Sequence, residues 1–421
     1  MDKKKIPNIR FRGFTEDWEQ RKLSDGMYEY TDRVYINDNE YYTQVSVKNI
    51  GKIEVRGIKK GVNIGRKRQA KINLDEHPNT LIFTRQTIEQ GGIGFAPNET
   101  NGAIVTENMP TIDVNKSVFS KKYIICFVKT RTFRKDVILS NIEGGTAQIA
   151  IHEDDVLKSS SFFPKIEEQK KIGDFFEKLD NLITFHQHKL EYLKKVKEGL
   201  LQKMFPKNEE KVPEIRFKGF TYPWEQRKFD DLCEIITKQT GFDYSATIKP
   251  SLINSKRKDT YPFIQNKDFS GNNINLNTDF YIPINVAEKF NKILLDKPSV
   301  LVSISGRIGN VGFYGLSQKA FIGGAVGICK LKDGIDGEFI VQELESPYGQ
   351  KYFQSLTKAS SHANITVEDI RNIDLYFPKY TNERKAIGDF FEKLDNLIIL
   401  HQHKLGKLQD IKKSCLEKML I

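Results

Sequence analysis

The chain has 421 residues, 38% of them hydrophobic, which is enough for two or three domains with sizeable cores. Its 66 Lys and Arg exceed its 55 Asp and Glu, a balance of +11 that favours a polyanionic partner. No stretch approaches eighteen consecutive apolar residues, the start carries charge without an apolar run behind it, and the four cysteines are scattered, so the expectation is a cytoplasmic protein with reduced thiols, without a membrane span, disulfide framework or metal site.

In chain order, residues 7–22 read PNIRFRGFTEDWEQRK, and residues 213–228 read PEIRFKGFTYPWEQRK. The only two tryptophans, Trp18 and Trp224, hold matching places. Each opening leads into a variable head, residues 23–163 and 229–377, and each head closes on Phe-Pro-Lys. In the first, residues 81–84 read as a strand leading to the loop GGIGF at 91–95. In the second, residues 300–303 lead to GNVGF at 309–313. The glycines mark tight loops between strands. Runs rich in β-branched and aromatic residues at 41–47, 123–128, 280–282 and 325–331 predict further strands, and 134–141 and 339–356 predict helices. Each head is expected to be a compact α+β domain.

After each head comes the strongest repeat: IGDFFEKLDNLI at residues 172–183 returns unchanged at 387–398, followed both times by HQHKL. Apolar residues at Ile172, Phe176, Leu179, Leu182, Ile183, Leu190, Leu193 and beyond recur at spacings of three and four, and the second copy keeps the stripe, including Leu397 and Ile411. Two helices are predicted, each roughly 57 Å long. Each large side chain buried between them contributes roughly 1.5–3 kcal/mol, so they are expected to pack on one another. The linker at residues 206–211 spans at most about 20 Å. The second cassette therefore starts near the end of the first helix, the helices run antiparallel, and the C-terminus returns to the N-terminal half.

The repeat is not simply a young duplication, because the frame is kept while the heads differ. The frame is expected to meet one partner twice, through the faces carrying Asp174, Glu177, Lys178 and Asn181 in one copy and Asp389, Glu392, Lys393 and Asn396 in the other. His186 and His401 continue the stripe and read as seam histidines, since residues two apart on a helix point to nearly opposite sides and HQH cannot chelate one ion.

The heads hold the candidate nucleic-acid contacts. Residues 52–71 carry eight Lys or Arg against the single acid Glu54. Arg56, Lys59, Lys60, Arg66, Lys67 and Arg68 read as phosphate contacts on a backbone that Gly and Asn keep mobile. For base edges, Arg pairs with guanine and Gln or Asn with adenine, which selects Arg85, Gln86 and Gln90 in the first head and Ser305, Arg307 and Asn310 in the second. The segments GGTAQ at 144–148 and SSHAN at 360–364 add Gln148 and Asn364. No adjacent prolines of an amino-methyltransferase motif, no phosphate-binding GxxxxGK[ST] loop and no acid-acid-lysine nuclease cluster occurs, so the chain reads as non-catalytic.

The paired openings IRFRGFTEDWEQRK and IRFKGFTYPWEQRK, and the paired IGDFFEKLDNLI helices, resemble the specificity subunit of bacterial type I restriction-modification enzymes. The resemblance spans the chain. It implies two target-recognition domains joined by two long helices packed as an antiparallel coiled-coil spacer with pseudo-twofold internal repeat. On this reading, residues 1–163 are the first recognition domain, 164–211 the first helical spacer and linker, 212–377 the second domain and 378–421 the second spacer. It further implies that each head reads half of an asymmetric bipartite DNA site and that two modification subunits dock on the helices. S-adenosylmethionine, ATP and magnesium belong to the modification and restriction subunits. The competing readings are a DNA-binding nuclease or methyltransferase and a purely structural coiled-coil adaptor.

Overall fold

The structure is a computed structural model that describes residues 6–141, 150–207, 210–358 and 364–420. The chain divides into two compact units, one of residues 1–185 with 404–421, the other of residues 186–403. Two helices of 39 residues, Ile166–Met204 and Thr381–Met419, each contribute to both units.

In the first unit the repeated WEQRK supplies the strand Glu19–Lys22, which pairs antiparallel with Ser160–Phe163, Glu19 facing Phe163. The opening and the Phe-Pro-Lys end of the head thus meet as neighbours. Arg10 then reaches the first turn of the long helix, where its guanidinium grips buried Glu168 through two bonds of 2.7 Å. Ile9 N–H donates to Lys418 O at 3.0 Å, tying the opening to the end of the second long helix. The head contains a four-stranded sheet ordered Met27–Tyr30, Thr111–Val114, Thr80–Phe83, Ile93–Phe95, and a five-stranded sheet ordered Asp32–Tyr35, Arg68–Lys71, Ile104–Val105, Tyr41–Val47, Ile53–Lys60.

Residues 123–128, expected as a strand, belong instead to the helix Lys121–Phe127. Short apolar runs do not distinguish a strand from a buried helix. Here Tyr123, Ile124 and Phe127 pack into a core with Trp18, Phe119 and Phe163, so the helix is buried along most of its girth.

The second unit repeats the frame, and of its two sheets the first keeps the strand order of the first head's four-stranded sheet while the second differs. Glu225–Lys228 pairs antiparallel with Asp374–Phe377 in the same register. Arg216 grips buried Glu383 at 2.6 and 2.8 Å, Trp224 Nε1 donates to the same carboxylate at 3.2 Å, and Ile215 N–H donates to Lys203 O at 2.8 Å. Its two four-stranded sheets are ordered Cys233–Lys238, Val326–Leu331, Ser299–Ser303, Val311–Tyr314 and Tyr281–Pro283, Thr260–Ile264, Ala320–Ile322, Leu294–Leu295.

Within each unit, portions of the two long helices share a core. Ile172, Phe176 and Leu179 join Leu408, Leu416 and Met419 in the first, and Leu193, Leu201 and Met204 join Phe391, Leu394 and Ile398 in the second. Asp180 pairs with Lys412 in the first unit. In the second, Lys197 bridges Asp395 and Glu345, both at 2.7 Å. The stripe is narrower than expected: Leu182, Leu397 and Ile411 are about half exposed. A step of three residues from Leu179 falls about 60° short of a full turn, which carries Leu182 off the buried face.

Gly173 and Gly388, the glycines of the repeat, mark where a head helix presses on a long helix. A β-carbon on Gly173 would lie 2.6 Å from Lys122 Cβ, and one on Gly388 3.0 Å from Glu338 Cβ.

Removing Arg216 leaves the Glu383 carboxylate buried without its cation, a change that typically costs about 3–5 kcal/mol. Arg216→Ala is therefore expected to lower the urea midpoint strongly. Arg227→Ala, which removes an exposed pair with Glu225 and a cation contact over the Phe377 ring, lowers it far less.

Candidate nucleic-acid interface and repeated helix faces

The basic stretch at residues 52–71 is built largely of regular elements. It consists of the edge strand Ile53–Lys60, a 3-10 turn at Gly61–Asn63 and the strand Arg68–Lys71. Gly61 is required by close approach and not by freedom, since a β-carbon there would sit 1.8 Å from Asn37 O. Arg56, Lys59 and Arg68 are exposed and Lys60 half-buried. Arg66 bonds Glu107 at 2.6 Å, and Lys67 holds Asp38 and donates to Gly61 O at 2.8 Å. The last two therefore brace their own sheet.

Arg85 is likewise committed within its head, forming a two-point pair with Glu153 whose Nε contact is 2.8 Å. Gln86 is exposed, and Gln90 accepts from Asn49 at 3.0 Å. The GGIGF glycines accommodate the turn of a neighbouring hairpin: a β-carbon at Gly91 would lie 2.3 Å from Asn49 O, and one at Gly94 2.0 Å from Gly51 O. Arg68 and Arg85 meet Arg33 in a cleft of about 320 Å³ that also contains Glu29 and Glu107. Arg33 comes from a strand with no charge run around it and was missed in the sequence. So was a groove of about 800 Å³ lined by Lys129, Arg131, Lys412, Lys413 and Lys418 together with Asp180 and Glu417, which three segments distant in sequence build together.

In the second unit Arg307 is exposed and lines a cleft of about 580 Å³ with Lys194, Lys197 and Glu198. Asn310 serves its own loop, donating to Asn266 O at 2.9 Å and Phe269 O at 2.8 Å. Ser305 is half-buried, and its carbonyl accepts from Asn266 at 3.1 Å. Asn364 is exposed. Gln148 with the rest of 144–148, and residues 360–363, lie outside the described residues.

Asp174, Glu177, Lys178 and Asn181 are exposed on the first copy of the helix repeat, and Asp389, Glu392, Lys393 and Asn396 on the second. The heads make these equal sequences electrostatically unequal. Lys122 bonds Asp174 at 2.8 Å and Glu177 at 2.7 Å, and those bonds push its ammonium pKa up. In the second unit Glu338 presses on the repeat glycine instead. Burial raises its carboxyl pKa, and the nearby Glu392 and Asp389 raise it further. His186 Nδ1 lies 2.8 Å from His401 Nδ1. Asp180, identical in both copies as Asp395, is explained by its pair with Lys412 rather than by an external partner. Among the described residues no cluster of three or more His, Cys, Asp or Glu is placed to hold a metal ion, and no helix is long and apolar enough to cross a membrane.

Residues 222–410 match the family model described as the type I restriction modification DNA specificity domain. The putative type I restriction enzyme MjaX specificity subunit of Methanocaldococcus jannaschii is 23% identical over 419 residues, covering 96% of this chain and 93% of its own. The MjaVIII specificity subunit of the same organism is 25% identical over 268 residues, covering 61% and 60%. In fold, the crystal structure of the S subunit of a type I restriction-modification system from M. genitalium matches with a TM-score of 0.62 at 13% identity over 99% of both chains.

Replacing Arg33 and Arg68 together by Ala is expected to weaken binding to any duplex DNA sequence about equally. It should also reduce the slope of log affinity against log salt by roughly one for each phosphate left without its cation. Filter binding at several salt concentrations measures both.

Proposed function

We propose that the chain is a DNA specificity subunit of a type I restriction-modification system, which recognises DNA and leaves catalysis to other subunits, and that it reads a bipartite DNA site. Each head takes one half of an asymmetric site. The observation that carries this reading is the contrast between frame and contents. Arg10–Glu168 and Arg216–Glu383 hold closely similar openings in identical registers, and one four-stranded antiparallel sheet keeps its order in both heads, while the second sheet differs, with five strands in the first head and four in the second.

The proposed domains are residues 1–163 and 212–377 as target-recognition heads, with 164–211 and 378–421 as helical spacers. Counterpart pairs support an antiparallel spacer: Asp180 with Lys412 in one unit, Asp395 with Lys197 in the other. Heads held by such a spacer favour half-sites about one helical turn or somewhat more apart. The DNA contacts proposed are Arg56, Lys59, Lys60 and Arg68, with Arg33 added, and Gln86 and Arg307 at base edges. Arg66, Lys67, Arg85 and Asn310 act by holding these surfaces in shape.

Two modification subunits dock on the repeated helix faces. They carry S-adenosylmethionine and methylate adenine, and restriction subunits bring ATP and magnesium, all in the cytoplasm. The exposed Leu182 and Leu397, repeated beside Lys178, Asn181, Lys393 and Asn396, support a docking surface with an apolar centre and polar rim.

The test is methylation mapping across DNA from cells that express this chain with its modification subunit, against cells lacking it. New adenine methylation at one two-part asymmetric motif is the expected result. A reproducible absence of any new motif, with the complex present, overturns the reading in favour of a structural adaptor. For the docking faces, Lys178→Glu with Lys393→Glu is expected to weaken assembly at least tenfold, about 1.4 kcal/mol, in sedimentation with the modification subunit. The thermal midpoint of the isolated chain should hold, since both side chains are exposed.

A further inference from the structure

The hairpin of Tyr41–Val47 and Ile53–Lys60 carries apolar side chains into solvent where an edge strand would ordinarily hide or charge them. Ile53–Lys60 is the edge of the five-stranded sheet. Val55 faces Val45 and Ile58 faces Thr43, so Arg56 is the extra residue of a bulge. Val45 and Thr43 are two apart on one strand and share a face. The bulge, helped by Gly57 at φ +148°, therefore brings Val55 and Ile58 to that same face despite their odd spacing.

One end of this face is core, with Ile53 and Val45 packed against Ile72 and Ile82. The other end runs out of the protein, where Val55 is 40%, Ile58 68% and Tyr41 70% exposed. Around it stand Arg56, Lys59 and Lys60. The single acid of the strand, Glu54, is neutralised by Lys48 at 3.1 Å and Lys52 at 3.2 Å. A two-stranded ribbon fits the major groove, about 12 Å wide. In that groove the apolar features are the thymine C5-methyl groups, and phosphates line both rims.

We propose that this ribbon enters the major groove at one half-site, with Ile58 and Val55 contacting thymine methyls while Arg56, Lys59 and Lys60 hold the flanking phosphates. The inference rests on the DNA-reading function proposed above and identifies what part of the first head reads. It also accounts for an apolar surface that the basic residues alone leave unexplained: phosphate contact selects no sequence, whereas a methyl contact distinguishes thymine.

The test uses the full chain assembled with its modification subunit, and duplexes carrying the mapped motif with deoxyuridine replacing thymidine in one half-site or the other. Uracil lacks only the methyl and keeps the base pair. Wild type is expected to methylate more slowly at limiting DNA when one particular half is substituted, by roughly fourfold per methyl buried, and to be indifferent to substitution of the other half. Ile58→Ala should be slower on thymine DNA and lose most of the thymine-over-uracil preference, while Arg56→Ala is slower on both and keeps the preference. Equal rates of wild type on all duplexes, or an Ile58→Ala variant with an unchanged preference, overturns the inference while the bipartite reading stands. Failure to methylate any two-part motif removes the reading itself. Weakened capture of the modification subunit by Ile58→Ala without DNA assigns the face to a protein contact and also overturns the inference.

Discussion

The two-point pair between an arginine of the opening and a buried glutamate in the first turn of a long helix is the constraint on which each half of this protein depends. Arg10 with Glu168 and Arg216 with Glu383 join chain segments separated by 158 and 167 residues. Everything in a head must fit between those two points. The short strand that ends the opening pairs with the last strand of the head, so the head begins and ends at one place. A head closed in this way can differ inside without disturbing the frame. A buried ion pair is a weak source of net stability, because desolvation offsets most of the attraction. Its use here is to specify one geometry, since neither charge tolerates burial without the other.

The same closure explains how equal helix faces come to differ. The repeat glycines let a head helix approach closely, and the first residue to meet each of them belongs to the head, Lys122 in one unit and Glu338 in the other. Lys122 neutralises Asp174 and Glu177, whereas Glu338 adds a carboxyl near Asp389 and Glu392. The charge a partner would meet on the frame is therefore set partly by the variable contents.

Much of the frame was legible because it is local or repeated. The helices follow from spacings of three and four, and their antiparallel association within each unit follows from the short linker. The return of the chain's end to the N-terminal half is seen in the bond from Ile9 to Lys418. The strand at Tyr41–Val47 was likewise legible from a β-branched and aromatic run, and that at Thr80–Phe83, read as 81–84, from an apolar run before a glycine loop. The site was less so. Arg85 and Asn310 have the residue types that read bases, yet their bonding atoms are taken by Glu153 and by loop carbonyls. Arg33 and the groove of Lys129, Arg131 and Lys412 gather charge from separate segments, which no run along the chain reveals.

By itself, then, the sequence determined the duplicated plan and the two long helices, because periodicity and repetition are properties of neighbours in sequence. Only the tertiary structure decided that residues 121–127 wind into a helix, that the basic stretch forms an edge ribbon with an exposed apolar face, and which cations are taken up by carboxylates of their own head. Those outcomes depend on which surfaces meet and which polar groups find partners across distances in sequence. Packing and pairing of that kind leave no periodic trace in the order of residues.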